Sequence, residues 1–175
     1  VDGTIGIGAE ALASLTSGMQ NMAVGYQGGD AITIGTRNTI FGYDALTAEV
    51  EGSNNTAIGF EALHDANAGG SDGSETATNN TMVGYRAGDS ITTGKNNTGL
   101  GMGVAFDIDA DNQTAIGYEA TTDSANDIAI GNTSVDEIKG QVDFSTFSDK
   151  RIKRDIQDGD LGLDFINELK VRKFK

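Results

Sequence analysis

The chain has no cysteine, no proline and no tryptophan among its 175 residues. Without cysteine there is no disulfide and no thiolate metal site, which excludes a small secreted module held by cross-links. No apolar run approaches the roughly 18 residues of a membrane-spanning helix, and no signal peptide opens the sequence. Basic residues are scarce where most of the chain lies. Residues 1–147 hold 4 Lys and Arg against 20 Asp and Glu, whereas residues 148–175 hold 8 against 6. An acidic body of this kind lacks the basic footprint of a nucleic-acid binder. The chain starts at Val1, which reads as a fragment or a processed product.

Glycine is abundant instead, at 25 residues, about twice the usual ~7% share. Much of it is periodic. Gly8, Gly25, Gly42, Gly59, Gly84, Gly101, Gly117 and Gly131 are spaced by 17, 17, 17, 25, 17, 16 and 14 residues. Each anchors a copy of the stretch Asn55-Thr56-Ala57-Ile58-Gly59-Phe60-Glu61-Ala62-Leu63. Asn stands four residues before the anchor at Asn21, Asn38, Asn55, Asn80 and Asn97, with Gln113 and Asp127 as polar substitutes. An apolar residue always precedes it, and Tyr26, Tyr43, Phe60, Tyr85 and Tyr118 follow it. A second glycine recurs ten residues later, at Gly18, Gly35, Gly52, Gly69 and Gly94. A fixed period of this length is the signature of a solenoid.

Alternation within the unit predicts strands. Residues two apart share a face, so Thr56, Ile58 and Phe60 lie on one side and Ala57 and Gly59 on the other. The bulky side is expected to form the core and the bare side to admit a neighbouring backbone. Each unit then carries two short strands, the second a weaker I-T-x-G-x-x-N segment, with Asn and Gly at turns that favour positive φ. Two strands of about five residues enclose little core. Three chains side by side supply the missing burial, so a homotrimer is expected. The rival is a monomeric β-helix with triangular coils, whose six-residue aliphatic spacing the split of ten and seven does not match. The fold class expected is therefore all-β, a trimeric β-roll or β-solenoid of about eight ~17-residue repeats, with a short C-terminal α-helical segment.

The organisation follows. Residues 1–134 form the repeat domain, 135–147 read as connecting strands, and 148–175 as a separate C-terminal segment. Residues 64–79 interrupt the repeat and read as a surface loop carried on the solenoid, where binding functions are often placed. His64, beside Asp65, is the single histidine and reads as a surface residue. Asp107, Asp109 and Asp111 open like a calcium loop, but Asn112 and Tyr118 replace its glycine and its glutamate. They are weak metal candidates, and a solvated acidic turn is the plainer reading; no metal or other cofactor is expected. Beyond Ser148, Leu161, Phe165 and Leu169 recur every four residues. That is the pattern of an amphipathic helix, with Asp158 or Asp160 as N-cap and Glu168 and Arg172 as an i,i+4 pair.

The run F-S-T-F-S-D-K-R-I-K-R-D-I, followed by L-D-F-I-N-E-L-K-V-R-K-F, resembles the opening of an intramolecular chaperone domain. That domain ends phage tail fibres, tailspikes and endosialidases and belongs to a self-cleaving serine peptidase family. The resemblance covers residues 144–175, and the family's domain continues past the point where this sequence stops. The N-T-A-I-G-Y-E-A-L repeats are similar to those found upstream of that domain and to the β-roll head of trimeric autotransporter adhesins. The resemblance implies obligate trimers. It also implies a cut after Ser148, at the Ser148–Asp149 bond, with Lys153 as base. A lysine serves in that way when desolvation or neighbouring cations depress its pKa, and Lys150, Arg151 and Arg154 are such cations.

The function expected is thus a structural segment of a viral tail fibre, a spacer and display surface for attachment to a host cell. It would be located in the virion and work outside the cell. It is no enzyme apart from the single self-cleavage. Its expected partners are two further copies of itself, other tail or virion proteins and a host surface receptor such as a glycan, without nucleic acid or membrane insertion. A bacterial cell-surface trimeric adhesin is the second expectation, and a polysaccharide depolymerase the third, although no carboxylate pair is marked by its spacing. An ice-binding face is a remote fourth, because the recurring Thr is placed on the core side.

Overall fold

In a computed structural model, residues 2–66 and 77–141 are described. The chain divides into units 1–136 and 137–175, and the first holds the repeats. Its strands are β1 (Ile5–Ile7), β2 (Met22–Val24), β3 (Thr39–Phe41), β4 (Thr56–Ile58), β5 (Thr81–Val83), β6 (Thr98–Leu100), β7 (Thr114–Ile116) and β8 (Ile128–Ile130). They form one parallel sheet in sequence order. Each repeat therefore supplies one rung of a β-solenoid. Register follows the repeat: Thr39 pairs with Thr56, Thr56 with Thr81, and Thr81 with Thr98. The 25-residue and 16-residue spacings do not disturb it: Ala57 pairs with Met82 and Gly99 with Ala115.

Two expectations are corrected. Each unit has one three-residue strand, not two. The second segment forms a corner, in which several amides converge on one carbonyl of the next coil. The amides of Thr16, Ser17 and Gly18 all donate to Thr33 O, and those of Thr92, Thr93 and Gly94 to Ile108 O. Such convergence bends the chain where a ladder would keep it straight. The faces are also reversed. Ala57, in the middle of β4, is fully buried, whereas Ile58 and Phe60 are 36% and 39% exposed. Ala23, Ile40, Met82 and Ala115 repeat the inward position in other strands.

The inversion follows from the width of the coil. Opposing walls come so close that large side chains on both do not fit, and the sequence compensates from rung to rung. Where the strand carries Ile40 or Met82, the facing corner carries Gly29 or Gly88. A Cβ on Gly29 would meet Ile40 Cδ1 at 2.6 Å, and one on Gly88 would meet Met82 Sδ at 2.9 Å. Where the strand carries Ala57, the corners carry Leu46 and Leu63, both fully buried. A single chain thus has a core cluster of its own, from Leu12 to Ala120.

A second column runs inside this core. Asn21, Asn38, Asn55, Asn80 and Asn97 are all buried. Each Oδ1 accepts the backbone N–H of the next member: Asn38 N to Asn21 (2.9 Å), Asn55 N to Asn38 (2.9 Å), Asn80 N to Asn55 (3.0 Å) and Asn97 N to Asn80 (2.9 Å). Each Nδ2 donates to a corner carbonyl, such as Gly52 O for Asn38 and Ala77 O for Asn55, both at 2.9 Å. Positive φ falls one residue earlier, at Arg37, Asn54, Asn79 and Asn96. The inner asparagines are there for hydrogen bonding, not for left-handed backbone.

Val135 to Gly140 form no strand, and residue 141 is the last described. The rest of the expected connecting strands, the expected C-terminal helix, Ser148 and Lys153 lie outside the described residues.

Candidate interaction face

The outward side of the sheet is the most distinctive surface of the first unit. The residue before each anchor glycine points out: Ile7, Phe41, Leu100 and Ile116 are exposed, Val24 and Val83 half-buried. Beside this column runs an aromatic one. Tyr26, Tyr43, Phe60 and Tyr85 stack with ring centroids 5.2, 5.2 and 5.3 Å apart and planes within 19° of parallel. The ladder arises because the residue after the glycine occupies the same place on successive rungs. Stacking covers the ring faces and leaves their edges outward; Tyr43 is 46% exposed. The ladder is therefore present as the repeat predicts, but on the surface and not in the core.

Thr39, Thr56, Thr81, Thr98 and Thr114 are in register along the sheet and none is buried: Thr81 and Thr98 are exposed, and the other three are half-buried. The recurring Thr is therefore not on the core side, where the alternation had placed it.

Charge flanks the aromatics on one edge. Gln27 Nε2 donates to Glu10 Oε2 at 2.7 Å, and Arg86 Nε lies 3.3 Å from Glu61 and 2.7 Å from Asp89. Glu10, desolvation, and the neighbouring Tyr43, Asp44 and Asp30 raise the Tyr26 phenol above its ordinary range. Desolvation, and then Asp44 and Glu10, hold the Asp30 carboxyl above its ordinary range against opposing backbone hydrogen bonds.

The remaining sequence candidates serve the stack. Asp109 Oδ1 accepts from Thr92 Oγ1 (2.8 Å) and Thr93 Oγ1 (3.0 Å), and Asp111 Oδ1 accepts from the Lys95 amide (2.7 Å). These carboxylates brace one coil on the preceding one. Asp107 meets Gln113 through its backbone alone in the hydrogen bonds seen, its N–H and C=O both bonded to that side chain. Among the described residues no three His, Cys, Asp or Glu are grouped to hold a metal. His64 Nδ1 lies 2.8 Å from Asp65 Oδ1 on the surface. An open groove of about 670 Å³ lies at the last rungs, lined by Gly103, Glu119, Thr121, Gly131, Asn132 and their neighbours. Among the described residues no helix is long and apolar enough to cross a membrane.

Sequence reasoning missed Glu49, which is wholly buried at a core position. The signal was available, because the equivalent residues of two other units are Ile32 and Ile91. Comparisons with protein-family models, with curated proteins and with solved structures find no match to the chain.

Proposed function

We propose that the chain is a structural segment of a homotrimeric fibre, in which the outward sheet face of each copy packs against two others. One observation carries the reading: the aliphatic and aromatic columns lie side by side along successive rungs on the same exposed surface. Scattered apolar residues are ordinary on a surface, whereas a contiguous double column marks an interface. Eight rungs at about 4.8 Å make this strip roughly 34 Å long. The occupant is another copy of the chain, because a straight periodic strip is matched in spacing by an identical strip. The resemblance of the repeats to trimeric fibres and adhesin heads sets the number at three.

Within this reading the segment is a spacer and display element of a viral tail fibre, acting outside the cell in attachment to a host. Ser148 and Lys153 are proposed as the cleavage pair that releases the C-terminal chaperone segment after assembly. A denaturing gel of the full-length protein beside Ser148→Ala tests that part; a single full-length band for both removes it. The trimer is tested by sedimentation equilibrium, where a mass of three chains is expected and a monomer overturns the reading. The double variant Ile58→Lys, Leu100→Lys is expected to sediment as a monomer with an unchanged circular dichroism spectrum.

The exposed Thr column favours one second reading, an ice-binding face on a monomer. Thermal hysteresis that Thr56→Lys or Thr81→Lys abolishes supports it, and its absence in a monomeric preparation dismisses it.

A further inference from the structure

Glu49 occupies the inward position held by Ile32 and Ile91 in other coils, and its side chain is fully buried. Burying a carboxyl is costly unless its oxygens are satisfied. Its surroundings explain half of the choice. In two other coils the corner amides converge on a carbonyl of the next coil, at Thr33 and at Ile108. At this corner the Glu51 amide (3.0 Å) and the Gly52 amide donate to Glu49 Oε1 instead. The next unit is the one whose spacing lengthens from 17 to 25 residues. Glu49 therefore takes the part of an acceptor at the point where the repeat is interrupted.

The other half is unexplained by packing. Oε2 is buried and has no hydrogen-bond partner among the described residues. It lies against the Cα of Gly52, and so does the carbonyl oxygen of Ala77, since a Cβ there would collide with both. Ala77 O already accepts from Asn55 Nδ2. An ionised Oε2 is a buried acceptor without a hydrogen bond, whereas a protonated one is a donor on the side of Gly52 where the Ala77 carbonyl also lies.

We propose that Glu49 is a proton-linked clamp on this corner of the solenoid, holding coils three and four together while neutral and loosening them as it ionises. Burial raises its pKa above the ordinary 4.5, outweighing the backbone amides of Gly52, Glu51, Val50 and Ala77 that lower it. Among the described residues, the nearby titratable side chains are Glu51 on the same corner and His64 and Asp65 on the next coil; His64 O accepts from the Ala48 amide, and the Asp65 amide donates to Asp89 O on the coil after it. A raised folded-state pKa means that the folded form prefers the proton. The stabilisation is complete below the unfolded pKa and is lost as pH rises through the folded one. Each unit of difference is a tenfold change in the folding equilibrium.

The experiment compares thermal unfolding of the wild type, Glu49→Gln and Glu51→Gln in the full chain between about pH 4 and about pH 8, a range that spans an ordinary and a raised glutamate. Gln keeps the acceptor and places a permanent donor at Oε2. The wild type is expected to lose stability relative to Glu49→Gln by at least tenfold in the folding equilibrium as pH rises, and Glu51→Gln is expected to follow the wild type. Titration of the Glu49 carboxyl by isotope-edited NMR gives a second measure, with a midpoint expected above that of a free glutamate. A stability difference that is flat with pH, or a carboxyl midpoint at the ordinary value, overturns the proposal.

Discussion

Asn55 stands in the middle of a column in which each side chain serves two backbone groups. Its Oδ1 accepts the Asn80 amide and its Nδ2 donates to Ala77 O. Removing it leaves both backbone groups buried without a partner, at roughly 1–3 kcal/mol each. Asn55→Ala is thus expected to lower stability by about 3 kcal/mol in urea unfolding. Asn54→Ala, one residue away and exposed, is expected to lose only about 1 kcal/mol, chiefly the preference of Asn for the left-handed backbone. Equal losses for the two variants would show that the inner column is not what holds the coils. The recurrence of Asn was legible in the sequence. Its burial was not, because alternation along a strand says nothing of a residue in the turn before it.

At the scale of the strand and its flanking glycine, the close approach of coils sets the tightest constraint. Gly42 has φ +154°, and a Cβ there would collide with the carbonyl of Gly59 on the next coil. Backbone does not give way as a flexible side chain does, so Gly42→Ala is expected to cost roughly 4 kcal/mol or more. Gly28→Ala meets nothing nearer than Ile40 Cγ2 at 3.4 Å and should leave the melting temperature within a few degrees, about the shift that 1 kcal/mol gives. Tyr43 bridges two stacks in the ladder. Each stacked pair contributes about 0.5–1.5 kcal/mol, so Tyr43→Ala is expected to destabilise a single chain by about 2 kcal/mol. A much larger loss would signal burial of the ring between chains. The ladder itself was readable from the recurring aromatic, since equivalent positions on successive rungs must align.

For the whole molecule, charge and assembly are linked. The chain carries a net −14, and bringing three acidic bodies together is opposed by repulsion that salt screens. If the chains associate through the outward face, raising ionic strength from about 20 mM to about 200 mM is expected to shift the equilibrium toward the trimer in sedimentation runs. Dissociation on adding salt would point instead to an interface held by ion pairs.

The sequence by itself determined the period, the rung-to-rung register, the aromatic ladder and the asparagine column. Each depends only on which residues recur, and recurrence is visible without coordinates. Which side of the strand faces inward was decided by the tertiary structure. An alternating strand defines two faces of opposite bulk, and the hydrophobic effect alone favours burying the larger. The coil is too narrow for that: Ala57 fits between Leu46 and Leu63, and Met82 fits only because Gly88 and Gly99 make room. Steric closure between opposing walls, a relation among residues far apart along the chain, turned the small face inward and left Ile58, Phe60 and their counterparts outside.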